Sequence, residues 1–389
     1  MSRRNFSTGI DIGTGTIRAV VVEHNSENPL PTIIGTGTAE ARGVRHGYIV
    51  NVSEAAESIQ KAVAQAEKSS GINVKKAFVA IGGLSLESEV RIGSVFVSRA
   101  DNEVTNADVK KAVDAAEENM AQLANKQIVH TVPLGFKLDG EDVLGKPAGM
   151  KGSRLEARVL FVTCLQQHLS DFIRAVEEAG VQVEDVMASP IAASFVTLVR
   201  RQKTAGCVLA NIGAETLSIA VFENNIPISL KVFPIGGVEI TNDIALGLKI
   251  PLDEAEQIKQ GARISSYPKK KLEDIIEARL SDIFDLINAH LKKIGKAGLL
   301  PAGIVITGGT SAIPFIEDLA KVALKIPSKV ATPDFAKNTK QQVTDGKWSV
   351  AYGLCIMGID QNESESSRGI KIARTTTTSI SSWVKQFLP

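Results

Sequence analysis

The sequence predicts an α/β chain of two lobes, each built on the same β-rich unit, with a cleft between them. Three observations carry that prediction. A strand–turn–strand motif near the start recurs in the second half. In both halves helical segments follow the strands and lead to one more buried strand. The length of 389 residues suits two or three globular units of about 100–200 residues each.

Residues 9–25 read GIDIGTGTIRAVVVEHN and residues 209–225 read LANIGAETLSIAVFENN, aligned without a gap at an offset of 200. Ile12, Gly13, Thr16, Val21, Glu23 and Asn25 recur as Ile212, Gly213, Thr216, Val221, Glu223 and Asn225. Each copy is a β-rich run, a turn of small residues and a second β-rich run, the pattern of a hairpin. A third apolar run follows each copy, at residues 33–39 and 226–234. Residues 53–69 then set Ala56, Ile59, Val63 and Ala66 on one helical face, with Ser53 suited to the N-cap. Residues 76–82, KAFVAIG, read as a buried strand. In the second half, residues 239–248 and 252–260 read as helices and residues 303–307, GIVIT, as the matching strand.

The extra material between the copies reads as an inserted small α/β subdomain, with strands at 90–97, 127–136 and 158–163 and a helix at 106–124. The chain therefore divides into a first-lobe core (1–84), the insertion (85–165) and a return to the first lobe (166–204), helical at 172–180. The second-lobe core (205–238) and its outer subdomain (239–302) follow, then residues 303–360, which complete that core and return to the first lobe. Residues 361–378, rich in Ser, Thr, Glu and Gly, have no core-forming pattern and read as a linker to a last helix at 379–389.

Composition excludes several functions. With 44 basic against 43 acidic residues, the net charge of +1 gives no general attraction to nucleic acid, and no such partner is expected. Cys164, Cys207 and Cys355 fit no zinc or CxxC spacing and read as buried thiols of a reducing compartment. The five histidines form no metal-binding pair. No run approaches the roughly 18 apolar residues of a membrane span. The arginines near the start precede no apolar segment, so no signal peptide is expected and the chain is placed in the cytoplasm.

The turns suggest phosphate. Asp11, Gly13, Thr14, Gly15, Thr16 and Arg18 crowd the first hairpin. Its glycines let backbone N–H groups approach phosphate oxygens, the threonines add hydroxyl donors, and Arg18 supplies a cation. Asp11 can hold Mg2+ through water. An ordinary glycine-rich hairpin turn explains the first motif alone equally well; the second copy, with Asn211, Gly213 and Thr216, shifts the balance. Gly308 and Gly309 follow the GIVIT strand and would let a flat base lie on the backbone. Glu256 and Lys259, three residues apart on a helix, can reach ribose hydroxyls, or can form a solvated surface ion pair.

These motifs resemble the actin, heat-shock-chaperone and sugar-kinase ATPase superfamily: GIDIGTGTIR as its first phosphate motif, NIGAETLSIAVF as its second and GIVITGGTSAIP as its adenosine motif. Within it the chain resembles the FtsA family of bacterial cell-division proteins over nearly its whole length. RGVRHGYIVN (42–51), PAGMKGSRLEARVLFVTC (147–164), FPIGGVEITNDIALGL (233–248) and AEQIKQG (255–261) carry the likeness, and the insertion stands where that family has its own. The resemblance implies an actin-like two-lobed fold of duplicated ribonuclease-H-like units. It implies ATP and Mg2+ in the cleft, with Gly236 joining the adenosine set, and assembly of the chain with itself into protofilaments. It further implies tethering of FtsZ filaments to inner-membrane lipid, on the cytoplasmic face at the division site, and recruitment of later division proteins through the insertion. The FtsZ tail would meet the second lobe's outer subdomain. There a helix at 272–294 turns Leu272, Ile276, Leu280, Ile283, Ile287 and Leu291 inward, leaving Arg279, Lys292 and Lys293 as cations for an acidic peptide or as solvated charge.

The chain departs from the pattern in places. Asn211, Ala214 and Glu215 stand where the second motif usually has an aspartate and glycines, which implies slow hydrolysis at most. Ser189 stands where chaperone-type relatives carry a glutamate. Two other readings share the superfamily: a PilM-like pilus-assembly platform protein, which has no such C-terminal tail, and a sugar or acid kinase, which needs a carboxylate base between the lobes.

At the end of the chain Ile380, Trp383, Val384, Phe387 and Leu388 fall on one apolar stripe of a helix, with Lys385 among the polar residues opposite. Following a polar linker with a reach on the order of 25 Å, the stripe suits a lipid interface; docking back onto the lobes is the alternative. One copy binds weakly, and a polymer multiplies it by avidity of roughly 100-fold or more.

Overall fold

The computed structural model describes residues 5–24, 30–120, 125–261, 268–332 and 345–366. The first lobe opens with an antiparallel meander of β1 (Asn5–Ile12), β2 (Thr16–His24) and β3 (Thr32–Glu40). The valines and isoleucines of β1 and β2 are buried on both faces, which explains their near-continuous apolar runs, whereas β3 alternates. A small hairpin, β4 (Val44–Arg45) and β5 (Tyr48–Ile49), leads into α1 (Val52–Ser70) and then β6 (Lys76–Ile81), parallel to β1. The N-cap of α1 is Asn51 and not Ser53: its side chain accepts from Glu54 N and donates to the Glu54 carboxylate at 2.8 Å. That reciprocal pairing fixes the helix start ahead of the serine.

The insertion comprises β7 (Glu87–Phe96), α2 (Asn106–Glu118), β8 (Lys126–Leu138), β9 (Glu141–Val143) and β10 (Arg154–Leu165). A Thr105–Asp108 capping box starts α2, which packs on the sheet through Ala112, Val113 and Ala116. The chain returns through α3 (Gln166–Glu178), β11 (Gln182–Ala188), α4 (Ser189–Thr197) and α5 (Arg200–Ala205).

The second lobe repeats the meander as β12 (Cys207–Ile212), β13 (Leu217–Glu223) and β14 (Ile226–Phe233). Helices α6 (Gly237–Leu248), α7 (Leu252–Lys259) and α8 (Lys269–Lys293) follow, then β15 (Ile304–Thr307), α9 (Ile316–Leu324), β16 (Ser328–Val330) and α10 (Ser349–Ser366). The backbone of α10 is helical through Ser366, so the segment read as a linker from Gln361 begins as helix. The remainder of that segment and the last helix lie outside the described residues.

Duplication is visible in the topology. The first sheet runs β11-β6-β1-β2-β3, and the second starts β16-β15-β12-β13-β14 in the same arrangement. The second sheet then continues into the insertion as β7-β10-β8-β9. The join is short: Lys231 pairs with Glu87, and Ser88 Oγ both donates to Leu230 O (2.9 Å) and accepts from Leu230 N (2.7 Å). The insertion is thus contiguous in sequence with the first lobe and hydrogen-bonded to the sheet of the second. The chain then returns to the first lobe, where α10 packs on β1 and α4. The approach is close, since a Cβ on Gly353 would lie 1.9 Å from Ala192 O.

Candidate functional site

A cavity of about 640 Å3 opens between the lobes. Its walls are the β1–β2 and β12–β13 turns, the segment after β15 and the facing side of α7. Asp11, Gly13, Thr14, Gly15, Thr16, Arg18, Asn211, Gly213, Thr216, Glu256, Lys259, Gly308 and Gly309, predicted from sequence, all line it. Gly236 is set back. A Cβ there would lie 2.5 Å from Ala214 O, so its role is to let the chain entering α6 pass over the second turn, and Gly237 is the residue at the wall.

Asp11 and Arg18 are opposite each other in the β1–β2 register. Burial pushes the Asp11 carboxyl up to about 6, against the pull of Arg18. Burial likewise lowers the Arg18 guanidinium, against Asp11 and Asp345. Arg18 lies 6.0 Å from the Trp348 ring, and its buried Nε has no hydrogen-bond partner. An unpaired buried N–H is costly, and at the wall of a cleft it suits an anion.

The third turn is shaped by backbone. Gly308 has φ +95, and a Cβ there would meet Asn211 Oδ1 and Ile212 O, each at 2.5 Å. Only glycine fits that position. A Cβ on Gly309 would meet nothing within 4 Å. Ser311 Oγ donates to Gly308 O at 2.7 Å and Thr310 Oγ1 to Gly213 O at 3.2 Å, tying this turn to the second phosphate turn.

Glu256 and Lys259 form an ion pair of 2.6 Å in which the Lys259 side chain is only 12% exposed. It is therefore recessed, unlike a solvated surface pair. Lys259 Nζ also donates to Gly237 O (2.9 Å) and Thr241 Oγ1 (2.8 Å). Burial raises the Glu256 carboxyl, but hydrogen bonds from Lys259, Thr241 and Gln260 outweigh it and leave it below its usual range.

Several wall residues carried no sequence signal, among them Gly47, Gly82, Gly83, Asp345 and Lys347. They come from loops that only the fold brings together. Ser189, noted from sequence as standing where relatives carry a glutamate, is at the wall and donates to Ile81 O at 2.9 Å.

The donor set fits a nucleotide with magnesium. Glycine turns leave backbone exposed, Arg18 Nε is unpaired, and Asp11 is a recessed carboxylate that a divalent cation would relieve. Among the described residues no group of three or more His, Cys, Asp or Glu could hold a metal alone. Magnesium bound through one carboxylate, water and phosphate needs no such cage.

Away from the cleft, Arg279 differs from expectation. It is half-buried, with Nε 2.6 Å and Nη2 3.1 Å from the Asp243 carboxylate and Nη1 3.2 Å from Asp282. It is not a free cation, whereas Lys292 and Lys293 are exposed. Ile380, Trp383, Val384, Lys385, Phe387 and Leu388 lie outside the described residues. No helix among the described residues is long and apolar enough to cross a membrane.

A family model described as "Cell division protein FtsA" matches residues 208–353, and one described as "SHS2 domain inserted in FTSA" matches residues 83–163. The cell division protein FtsA of Pseudomonas aeruginosa is 31% identical over 384 residues, covering 93% of this chain and 91% of that protein. This chain belongs to the FtsA family of cell-division proteins. FtsA of Bacillus subtilis is also 31% identical, over 377 residues, covering 91% of this chain and 83% of that protein. Two solved structures share the fold. The PilM–PilN type IV pilus biogenesis complex has a TM-score of 0.70 at 18% identity, covering 91% of this chain and 98% of that one. MreB5 of Spiroplasma citri bound to ADP has a TM-score of 0.56 at 12% identity, covering 94% and 99%. The FtsA fold here is accordingly actin-like, with the SHS2 domain as its insertion. The PilM-like and kinase readings are not favoured, because the likeness in sequence is to FtsA over almost the whole chain.

Proposed function

We propose that this FtsA-family chain binds ATP with Mg2+ in the cleft, polymerises, and tethers FtsZ filaments to the cytoplasmic face of the membrane at the division site. The observation that carries the reading is the convergence, in one cavity, of two phosphate-type turns, an adenosine-type turn and the recessed Glu256–Lys259 pair. Gly15, Gly213 and Arg18 would meet the phosphates, with Asp11 orienting a hydrated Mg2+. Gly308 and Gly309 would face the base, and Glu256 with Lys259 the ribose. Bound Mg2+ would neutralise phosphate charge. Asn211 cannot act as a carboxylate toward water or metal, so hydrolysis is slow. The insertion receives later division proteins, and the outer subdomain of the second lobe, with Lys292 and Lys293, takes the FtsZ tail.

The C-terminal stripe holds the membrane. Changing Trp383 and Phe387 to glutamate puts two charges on its apolar face. The parent should pellet with anionic lipid vesicles and carry an FtsZ tail peptide down with it in an ATP-dependent way. The double variant should bind ATP and stay in the supernatant. A double variant that pellets like the parent removes the stripe as the anchor.

A further inference from the structure

The departures from the family's second phosphate motif form a structure of their own. Glu215 turns away from the cavity, and its carboxylate accepts the His46 backbone N–H at 2.6 Å, across the cleft mouth from the second lobe to the first. The distance is that of a charge-assisted bond. The Glu215 N–H in turn donates to Thr14 Oγ1 at 3.3 Å. Ala214 completes the closure: a Cβ on Gly15 would lie 3.0 Å from the Ala214 Cβ, so the two phosphate turns touch.

The loop that Glu215 grips is firmly part of the first lobe. His46 presents its N–H from a left-handed conformation, φ +47. Gly47 packs on Gly83, where a Cβ would lie 2.2 Å from the Gly83 Cα. Gly47 O accepts from His168 Nε2 at 2.8 Å. The neutral ring then carries its proton on Nε2, and Nδ1 accepts from Ser85 Oγ at 2.5 Å. Tyr48 and Phe172 pack against that ring. A bond from Glu215 to this loop therefore pulls on a rigid body rather than on a loose tip.

We propose that Glu215 is a positioning residue that ties the second phosphate turn to the 43–49 loop and so holds the lobes shut, slowing nucleotide exit. This rests on the cleft being the nucleotide site. A glycine at 215 would provide no such acceptor, so the tie depends on this side chain. It acts at the phosphate end, where the two turns must part before the phosphates can leave.

Two measurements on the full chain test this. The first needs no nucleotide: backbone hydrogen exchange of the His46 amide in the parent, Glu215→Gly and Glu215→Gln. The parent amide should be protected, Glu215→Gly should lose that protection, and Glu215→Gln, which keeps an oxygen acceptor, should retain most of it. The second is release of a fluorescent methylanthraniloyl-ATP by stopped flow. Glu215→Gly should release it roughly tenfold faster, equivalent to about 1.4 kcal/mol, with Glu215→Gln close to the parent. Either His46 exchange or nucleotide release unchanged in Glu215→Gly overturns the proposal. A parent that binds no labelled nucleotide sinks the cleft reading instead, and hydrogen exchange alone then decides whether the tie exists.

Discussion

Replacing Asp11 with asparagine should make the nucleotide-free protein more stable while destroying its response to magnesium–ATP. The folded carboxyl titrates at about 6 against an ordinary 3.8, with burial the larger cause and Arg18 opposing it. An acid whose pKa is raised on folding holds its proton more tightly in the folded state. Its contribution to stability is fully present below pH 3.8 and is lost as pH rises through 6. At neutral pH the ionised carboxylate therefore costs about 3 kcal/mol relative to the unfolded chain, at 1.36 kcal/mol per pKa unit. That is an upper value, because the cleft is open to water and screens the charge. The attraction to Arg18 is already contained in the net shift. Urea unfolding of the apo protein at pH 7.5 should show Asp11→Asn more stable than the parent by about 1–3 kcal/mol, the gap closing toward pH 4. Adding magnesium–ATP should raise the stability of the parent and leave the variant almost unmoved. An apo variant less stable than the parent at pH 7.5 would refute the reasoning, since it would mean that Asp11 is stabilised by partners in the empty cleft.

Further outcomes are expected. Gly309→Leu should fold normally, because no described residue lies within 4 Å of a Cβ there, yet weaken binding of labelled ATP by roughly tenfold or more; Gly308→Ala, strained at φ +95, should instead lower the melting temperature. Phosphate release should run far below the enzyme median of about 10 per second; turnover near that value would overturn the reading of Asn211. Reversing Lys292 and Lys293 to glutamate should weaken binding of an acidic FtsZ tail peptide in a salt-dependent way, whereas Arg279→Ala should act on stability by about 1–2 kcal/mol through the lost Asp243 pair. Equal peptide affinity in the lysine variant would take those residues out of the site.

The parts of the fold that were legible in sequence are those fixed by local pattern. The meanders announced themselves because β2, β12 and β13 are buried on both faces and the turns between the strands need small residues. By contrast β11, QVEDVMA, carries two acids, and β16 has only three residues, so neither rises above its surroundings; both become strands by pairing in parallel with β6 and β15. The same limit shows in the site. Glycine spacing named the three turns, but Asp345 and Gly47 arrive from segments far apart in the chain. Arg279 was misread because helical spacing reports only the helix that bears it; its partner Asp243 is on α6, 36 residues earlier. The role of Glu215 was invisible for the same reason, since a side chain in a glycine position reads as an obstruction until the loop it grips is in place.

The charges around the cleft tie these points together. Its ionisable wall residues, among those described, fall into three acid–base couples: Asp11 facing Arg18, Glu256 with Lys259 at 2.6 Å, and Asp345 with Lys347 at 2.7 Å. Neutral Asn211 adds nothing to either side. The wall therefore brings no net positive charge to meet a triphosphate. What it brings is two turns of small residues, the unpaired Arg18 Nε and one carboxylate whose ionisation burial opposes. A nucleotide entering alone would meet Arg18 but set its own charge against Asp11. A nucleotide carrying Mg2+ would meet both, because the cation would relieve Asp11 and the phosphates at once. On the proposed reading, the burial that raises the Asp11 carboxyl would favour the magnesium complex over the free nucleotide.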